Sequence, residues 1–148
     1  MNRARIALRF ITPVMAALVV SACGGGGAPA EPDAPLGEPA VRLEVTMRDI
    51  AFEPGTLEGR AGEVMEIALK NTGSLGHDFT VREMAADVAV TQPASRTHNT
   101  DTGIHVHLDG RTESVMQLRV AGPGTYEFYC SVSGHRSAGM AGTLVVTD

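Results

Sequence analysis

Apolar and polar side chains alternate with a period of two along one short run after another of this chain. Val41, Leu43, Val45 and Met47 alternate with Arg42, Glu44, Thr46 and Arg48, and Met65, Ile67 and Leu69 alternate with Glu66, Ala68 and Lys70. Successive side chains on a strand point to opposite faces, so each run reads as a strand with one buried face. Further strands are expected at 77–83, 103–108, 113–120, 124–131 and 142–147. Turn signals separate them at Glu53-Pro54-Gly55, Asn71-Thr72-Gly73, Asp109-Gly110 and Gly122-Pro123-Gly124. Seven to eight short strands punctuated in this way predict an all-β fold, a Greek-key sandwich. Residues 84–102 interrupt the pattern and read as a long loop with a short helix near 84–90.

The alternation begins only at Val41. Before it, residues 1–9 carry Arg3, Arg5 and Arg9 with no acid, residues 10–20 are almost wholly apolar, and Val20-Ser21-Ala22-Cys23 follows. Residues 1–22 read as an export signal, too short for a permanent membrane span. The ending resembles the lipobox of bacterial lipoproteins, which implies that Cys23 is acylated and anchors the mature chain to a membrane, facing the periplasm or the cell exterior. Residues 23–40, rich in Gly and Pro, read as a tether. Residues 41–148 have the length of one small domain. The chain has 12 basic and 17 acidic residues, a net charge of −5. Loss of the three signal arginines leaves 9 against 17, or −8, with Lys70 the one lysine. No basic patch suggests a nucleic-acid partner.

The strand run that ends at Cys130 leads into the segment YCSVSGHRSAGM, which sets Cys130, His135 and Met140 at five-residue intervals. A thiolate, an imidazole and a thioether together suit copper in a trigonal His2Cys centre with a weak axial Met. Such a centre needs one more histidine. On the 77–82 run, His77, Phe79 and Val81 share the apolar face, opposite Asp78, Thr80 and Arg82, so His77 points inward at a strand start. Tyr126, Phe128 and Cys130 share a face on the last run, so Cys130 points inward at a strand end. If Cys23 is acylated, Cys130 is the remaining thiol, and ligation gives it a purpose in an oxidising compartment.

These motifs, with Glu53-Pro54 and Asn71-Thr72-Gly73 upstream, resemble the cupredoxins, the small blue copper proteins. The Cys-x4-His-x4-Met spacing is similar to that of auracyanin and rusticyanin, and the likeness runs over residues 41–148. Asp78 departs from it, since several members carry a neutral residue after the histidine. The resemblance implies a membrane-tethered carrier of single electrons with one type 1 copper held by His77, Cys130, His135 and Met140. Four protein ligands leave no open position for a substrate, so an enzyme is not expected. His135 is the expected exit for the electron, with Val132, Gly134, Ala138, Gly139 and Ala141 forming a small apolar docking surface. The partners expected are redox proteins such as c-type cytochromes or a copper or haem reductase or oxidase, met by a monomer. A periplasmic copper carrier or chaperone is the alternative.

Other copper chemistries lack their residues. A dinuclear centre needs a second cysteine in the loop, and a multicopper oxidase needs histidines beside Cys130, where Tyr129 and Ser131 stand. One His-x-His pair, His105 and His107, lies opposite Ile104, Val106 and Leu108 and reads as solvated; with His98 it is the candidate for a second metal site. Met47, Met65 and Met116 read as core.

Overall fold

A computed structural model describes residues 31–93, the backbone of 96–100, and 103–148. The signal segment and Cys23 lie outside the described residues. Eleven strands are present among them: β1 (Val41–Arg48), β2 (Ala51–Glu53), β3 (Thr56–Arg60), β4 (Val64–Asn71), β5 (His77–Arg82), β6 (Ala86–Gln92), β7 (Arg96–Thr100), β8 (Gly103–Leu108), β9 (Glu113–Val120), β10 (Gly124–Tyr129) and β11 (Ala141–Thr147). They form a five-stranded sheet, β2-β1-β4-β9-β6, and a six-stranded sheet, β3-β11-β10-β5-β8-β7. The all-β sandwich is as the alternation predicts, with β1 parallel to β4 and β11 parallel to β3. Glu53-Pro54-Gly55 carries the chain from one sheet to the other, between β2 and β3, two short strands that the alternation does not predict. Among the described residues no helix is long and apolar enough to cross a membrane.

The helix expected near 84–90 is absent; β6 occupies it, antiparallel to β9. Ala86, Val88 and Val90 alternate with Asp87, Ala89 and Thr91, a strand period with β-branched residues that favour a pleated surface. β7 then fills part of the expected loop as the outer strand of the six-stranded sheet.

Both inner faces are sealed by apolar residues. Phe79 stacks on Phe128 with ring centroids 5.0 Å apart, and Phe52 meets Phe128 edge-on at 5.2 Å, arrangements that add to plain burial. Met47, Met65 and Met116 are fully buried, as their strand faces predict, and Met84 joins them. Gly142, the second residue of β11, has no room for a side chain: a Cβ there would lie 2.2 Å from the Phe128 ring.

The segment expected as a tether through residue 40 is tied to the five-stranded sheet from Asp33 onward. Asp33 N–H donates to the Val90 carbonyl at 2.9 Å, and the Val90 N–H returns to the Asp33 carboxylate at 2.8 Å. Leu36 N–H donates to the Gln117 side chain at 2.8 Å, Arg119 donates to the Leu36 carbonyl at 2.8 Å, and Ala40 N–H donates to Val64.

One end of the sandwich collects the ends of β1, β4 and β8, the start of β5 and the loop after β10. Asn71 secures it: its side-chain amide donates to the carbonyls of Leu75, Leu108 and Asp109, and its oxygen accepts from Gly73 N–H. The Asn-Thr-Gly turn read in the sequence is this knot, an Asx turn with extra reach.

Candidate metal centre

The loop from Cys130 to Met140 folds back on itself through its own backbone. His135 N–H donates to the Val132 carbonyl, Ala138 N–H to Gly134, and Met140 N–H to His135, each at 3.0 Å. Gly134 and Gly139 hold φ of 85° and 103°, left-handed conformations that L side chains avoid. Cys130 N–H then donates to the Met140 carbonyl at 3.1 Å and closes the loop. Cys130 and Met140 are both fully buried, and His135 is half-buried.

His77, at the start of β5, comes to the same point and is fully buried. Its Nδ1 lies 3.2 Å from His135 Nδ1 and 3.9 Å from Cys130 Sγ, and Cys130 Sγ lies 3.4 Å from His135 Nδ1. A point equidistant from these three atoms lies about 2.0 Å from each, at the lower edge of the roughly 2.0–2.3 Å that a first-row ion such as zinc keeps to imidazole and thiolate. The triangle therefore fits a metal ion held by two nitrogens and a sulfur. Among the described residues, His77, Cys130 and His135 are the one such convergent group of histidine, cysteine and carboxylate atoms. Met140 contributes its place at the loop's end beside them.

Electrostatics favour neutral imidazole here. Burial lowers the His77 pKa below its ordinary value, and Asp49 opposes that only in part. The Asp49 carboxylate stands 3.5 Å from His77 Nε2, an ion-pair distance rather than a hydrogen bond, so the ring's outer nitrogen has no hydrogen-bond partner among the described residues. Asp49 itself is tied down by the N–H groups of Ser74 and Leu75. The strand and turn patterns of the sequence give no sign of this link between Asp49 and His77. For Cys130, burial raises the thiol's pKa, against which the Asp78 N–H works by donating to Sγ at 3.3 Å.

Asp78, next to His77 on β5, is buried at 5% exposure. Its carboxylate accepts from Ser131 Oγ, next to Cys130, and from His107 Nδ1 at 2.6 Å, with His105 Nε2 at 3.5 Å. Burial alone would raise its pKa; the hydrogen bonds from Ser131 and His107 outweigh burial and hold it below the ordinary carboxylate value. His105 and His107 do face away from the core, as read, but they are half-buried against this carboxylate rather than solvated. Asp78 Oδ1 contacts both imidazoles, and the three do not converge on a common point as His77, Cys130 and His135 do. Backbone register sets His98 opposite His105; the His98 side chain lies outside the described residues.

The apolar residues expected around His135 are at the surface or partly covered: Gly134, Ala138 and Gly139 are exposed, and Val132 and Ala141 are half-buried. Beside them Arg136 pairs with Glu127 and lies 4.2 Å over the Tyr129 ring.

Known proteins with related sequences place this geometry in a family. The copper-resistant cuproprotein CopI of Rubrivivax gelatinosus is 30% identical over 125 residues, which covers 77% of this chain and 74% of the relative. Auracyanin-B of Chloroflexus aurantiacus is 28% identical over 125 residues, covering 74% of this chain and 53% of the relative. Among solved structures, auracyanin B superposes with a TM-score of 0.61 at 22% identity, covering 83% of this chain and all of that one, a likeness of fold. The family model for the cupredoxin-like domain matches residues 14–146, and the chain belongs to that family.

Proposed function

We propose that the protein binds one copper ion through His77, Cys130, His135 and Met140 and carries single electrons between extracytoplasmic redox partners, held to a membrane by a lipid on Cys23. The observation that carries this reading is the convergence of three donor atoms in a site where His77 and Cys130 are wholly buried and His135 alone is partly open.

Copper bound there supplies a one-electron Cu(II)/Cu(I) couple. The protein's part is to hold the donors still. His77 is fixed by β5, Cys130 and Met140 by the backbone bond between them, and His135 by the loop's internal hydrogen bonds. Donors that need not move between oxidation states keep reorganisation small. The partly exposed His135 and the small residues around it support a route for the electron and a face for brief contact with a partner such as a c-type cytochrome. With these four residues as ligands no coordination position is left for a substrate, and we read the protein as a carrier rather than an enzyme.

A copper carrier is the second reading, and one observation favours it: the Rubrivivax relative is named a copper-resistant cuproprotein. The buried donors support the first, because metal handed from protein to protein is better served by an accessible site.

Copper(II) added to the purified chain from residue 31 to 148, which keeps the segment tied to the five-stranded sheet, tests the proposal. The sulfur-to-copper charge-transfer band should turn the protein blue or green, Cys130→Ala should lose the colour, and reduced cytochrome c should bleach it. A colourless wild type sinks the assignment. Rapid loss of the colour to a chelator, with slow bleaching by the cytochrome, favours the carrier of metal over the carrier of electrons.

A further inference from the structure

Resting on the copper reading above for its redox consequence, we propose that His107 is a positioning residue of the metal centre that acts through Asp78, with His105 in a lesser part. The pair sits on the outer face of the six-stranded sheet, and among the described residues none of the four ligand side chains is a partner of the His107 imidazole.

Asp78 is the pivot. Its backbone N–H donates to Cys130 Sγ at 3.3 Å, one carboxylate oxygen accepts from Ser131, and the other accepts from His107 at 2.6 Å. An ionised carboxylate only accepts, so the His107 proton on this side is carried by Nδ1. His107 is itself held from behind. Its Nε2 lies 3.4 Å from Asp109, and it packs so closely on Gly76 that a Cβ there would stand 3.1 Å from the ring. The chain of contacts therefore runs from a fixed imidazole to a fixed carboxylate to the amide on the metal-binding sulfur.

Two effects of this chain act in one direction. A negative charge buried near the sulfur favours the more positive, oxidised metal, and in a poorly screened interior that charge is felt strongly. The His107 N–H draws electron density from the carboxylate and weakens this pull. The same bond keeps the Asp78 backbone aimed at the sulfur, and an N–H on a thiolate withdraws charge from it, which favours the reduced metal. Loss of the His107 donor weakens both influences and should lower the reduction potential.

The test uses the full chain and three variants. His107→Leu removes the donor, His107→Gln keeps a side-chain N–H, and Asp78→Asn removes the charge through which His107 is proposed to act. His107→Leu should shift the copper equilibrium about tenfold toward Cu(II), a fall of about 59 mV for one electron, with a moved charge-transfer band. In the metal-free protein it should also quicken hydrogen exchange at the Asp78 amide. His107→Gln should retain most of the wild-type potential and exchange protection. In the Asp78→Asn background, where the charge is gone but an acceptor oxygen remains, His107→Leu should move potential and band clearly less than in the wild type, and His105→Leu should have the smaller effect in the wild-type background, because its contact is longer. An equal shift in both backgrounds, or a loss of thermal stability with potential and amide exchange unchanged, overturns the proposal. Should His107→Leu not fold, His107→Ala, which also removes the donor, is read in the two backgrounds by the same criterion. Failure of the wild type to bind copper would refute the function proposed above, whereas the amide exchange of the metal-free variants still decides the role of His107.

Discussion

The two faces of β5 share one backbone and almost one degree of burial, yet they do different things. Toward the core, His77, Phe79 and Val81 set one candidate metal donor on the same face as an aromatic stack. Away from it, Asp78 and Thr80 are also buried, at 5% and 6% exposure, under a polar layer that includes His105 and His107. Alternation in the sequence therefore separates apolar from polar here, and not inside from outside. The inner face is held by packing, which is sensitive to volume. The outer face is held by hydrogen bonds, which are sensitive to whether each group has a partner.

Substitutions on each face should separate these causes. The largest effect is expected from Phe79→Ala on the inner face, about 3–5 kcal/mol of stability from lost contact and an unfilled cavity. Chemical denaturation of the metal-free protein measures it, and a cost near 1 kcal/mol would mean that the stack is not the anchor of β5. Next comes acid. Burial depresses the His77 pKa, so as pH falls below about 6.5 the unfolded chain takes up a proton that the folded site refuses. The metal-free protein should be at full stability in this respect above that pH and should lose stability as pH falls toward the folded value. Thermal melts between neutral and acid pH check this, and His77→Gln should flatten the dependence over the same window. The smallest effect is expected on the outer face, at Thr80. Its hydroxyl is buried and has no hydrogen-bond partner among the described residues, so Thr80→Val should be neutral or stabilise by up to about 1 kcal/mol. A marked loss on melting would show that the hydroxyl has a partner, and the contrast between the faces would weaken.

How much of this is legible in the sequence depends on how far apart the contacting residues lie. The four proposed ligands can be read because three share a short loop and the fourth begins a strand whose alternation aims it inward, and the structure brings the donor atoms of His77, Cys130 and His135 together. The sandwich can be read for the same reason. The contact between Asp78 and His107 joins residues 29 apart in sequence, through the pairing of β5 with β8. A strand period says which face a residue takes, not which neighbour faces it, and so His105 and His107 read as solvated. The stretch from Ala86 to Gln92 is a lapse of another kind, since its alternation was present but short, and the length of the gap around it suggested a loop. Asp33 to Ala40 has the Gly and Pro composition of a free linker, and its attachment is made mostly by backbone groups, which composition does not encode.

That attachment changes the mechanics of anchoring. The chain is pinned at Asp33 against Val90 on β6 and only reaches Ala40, beside the start of β4, after crossing toward the end of the sandwich remote from the ligand loop. With a lipid on Cys23, as proposed, nine residues separate the anchor from the first pinned position, and the ten steps of chain between them span at most about 36 Å. The domain would then work on a short leash, attached at the five-stranded sheet. It would search a thin shell above the lipid surface rather than the whole compartment, and a partner embedded in or bound to the same membrane would meet it at a high effective concentration. Weak, short-lived docking, of the kind a small apolar face around His135 can give, is then sufficient for turnover.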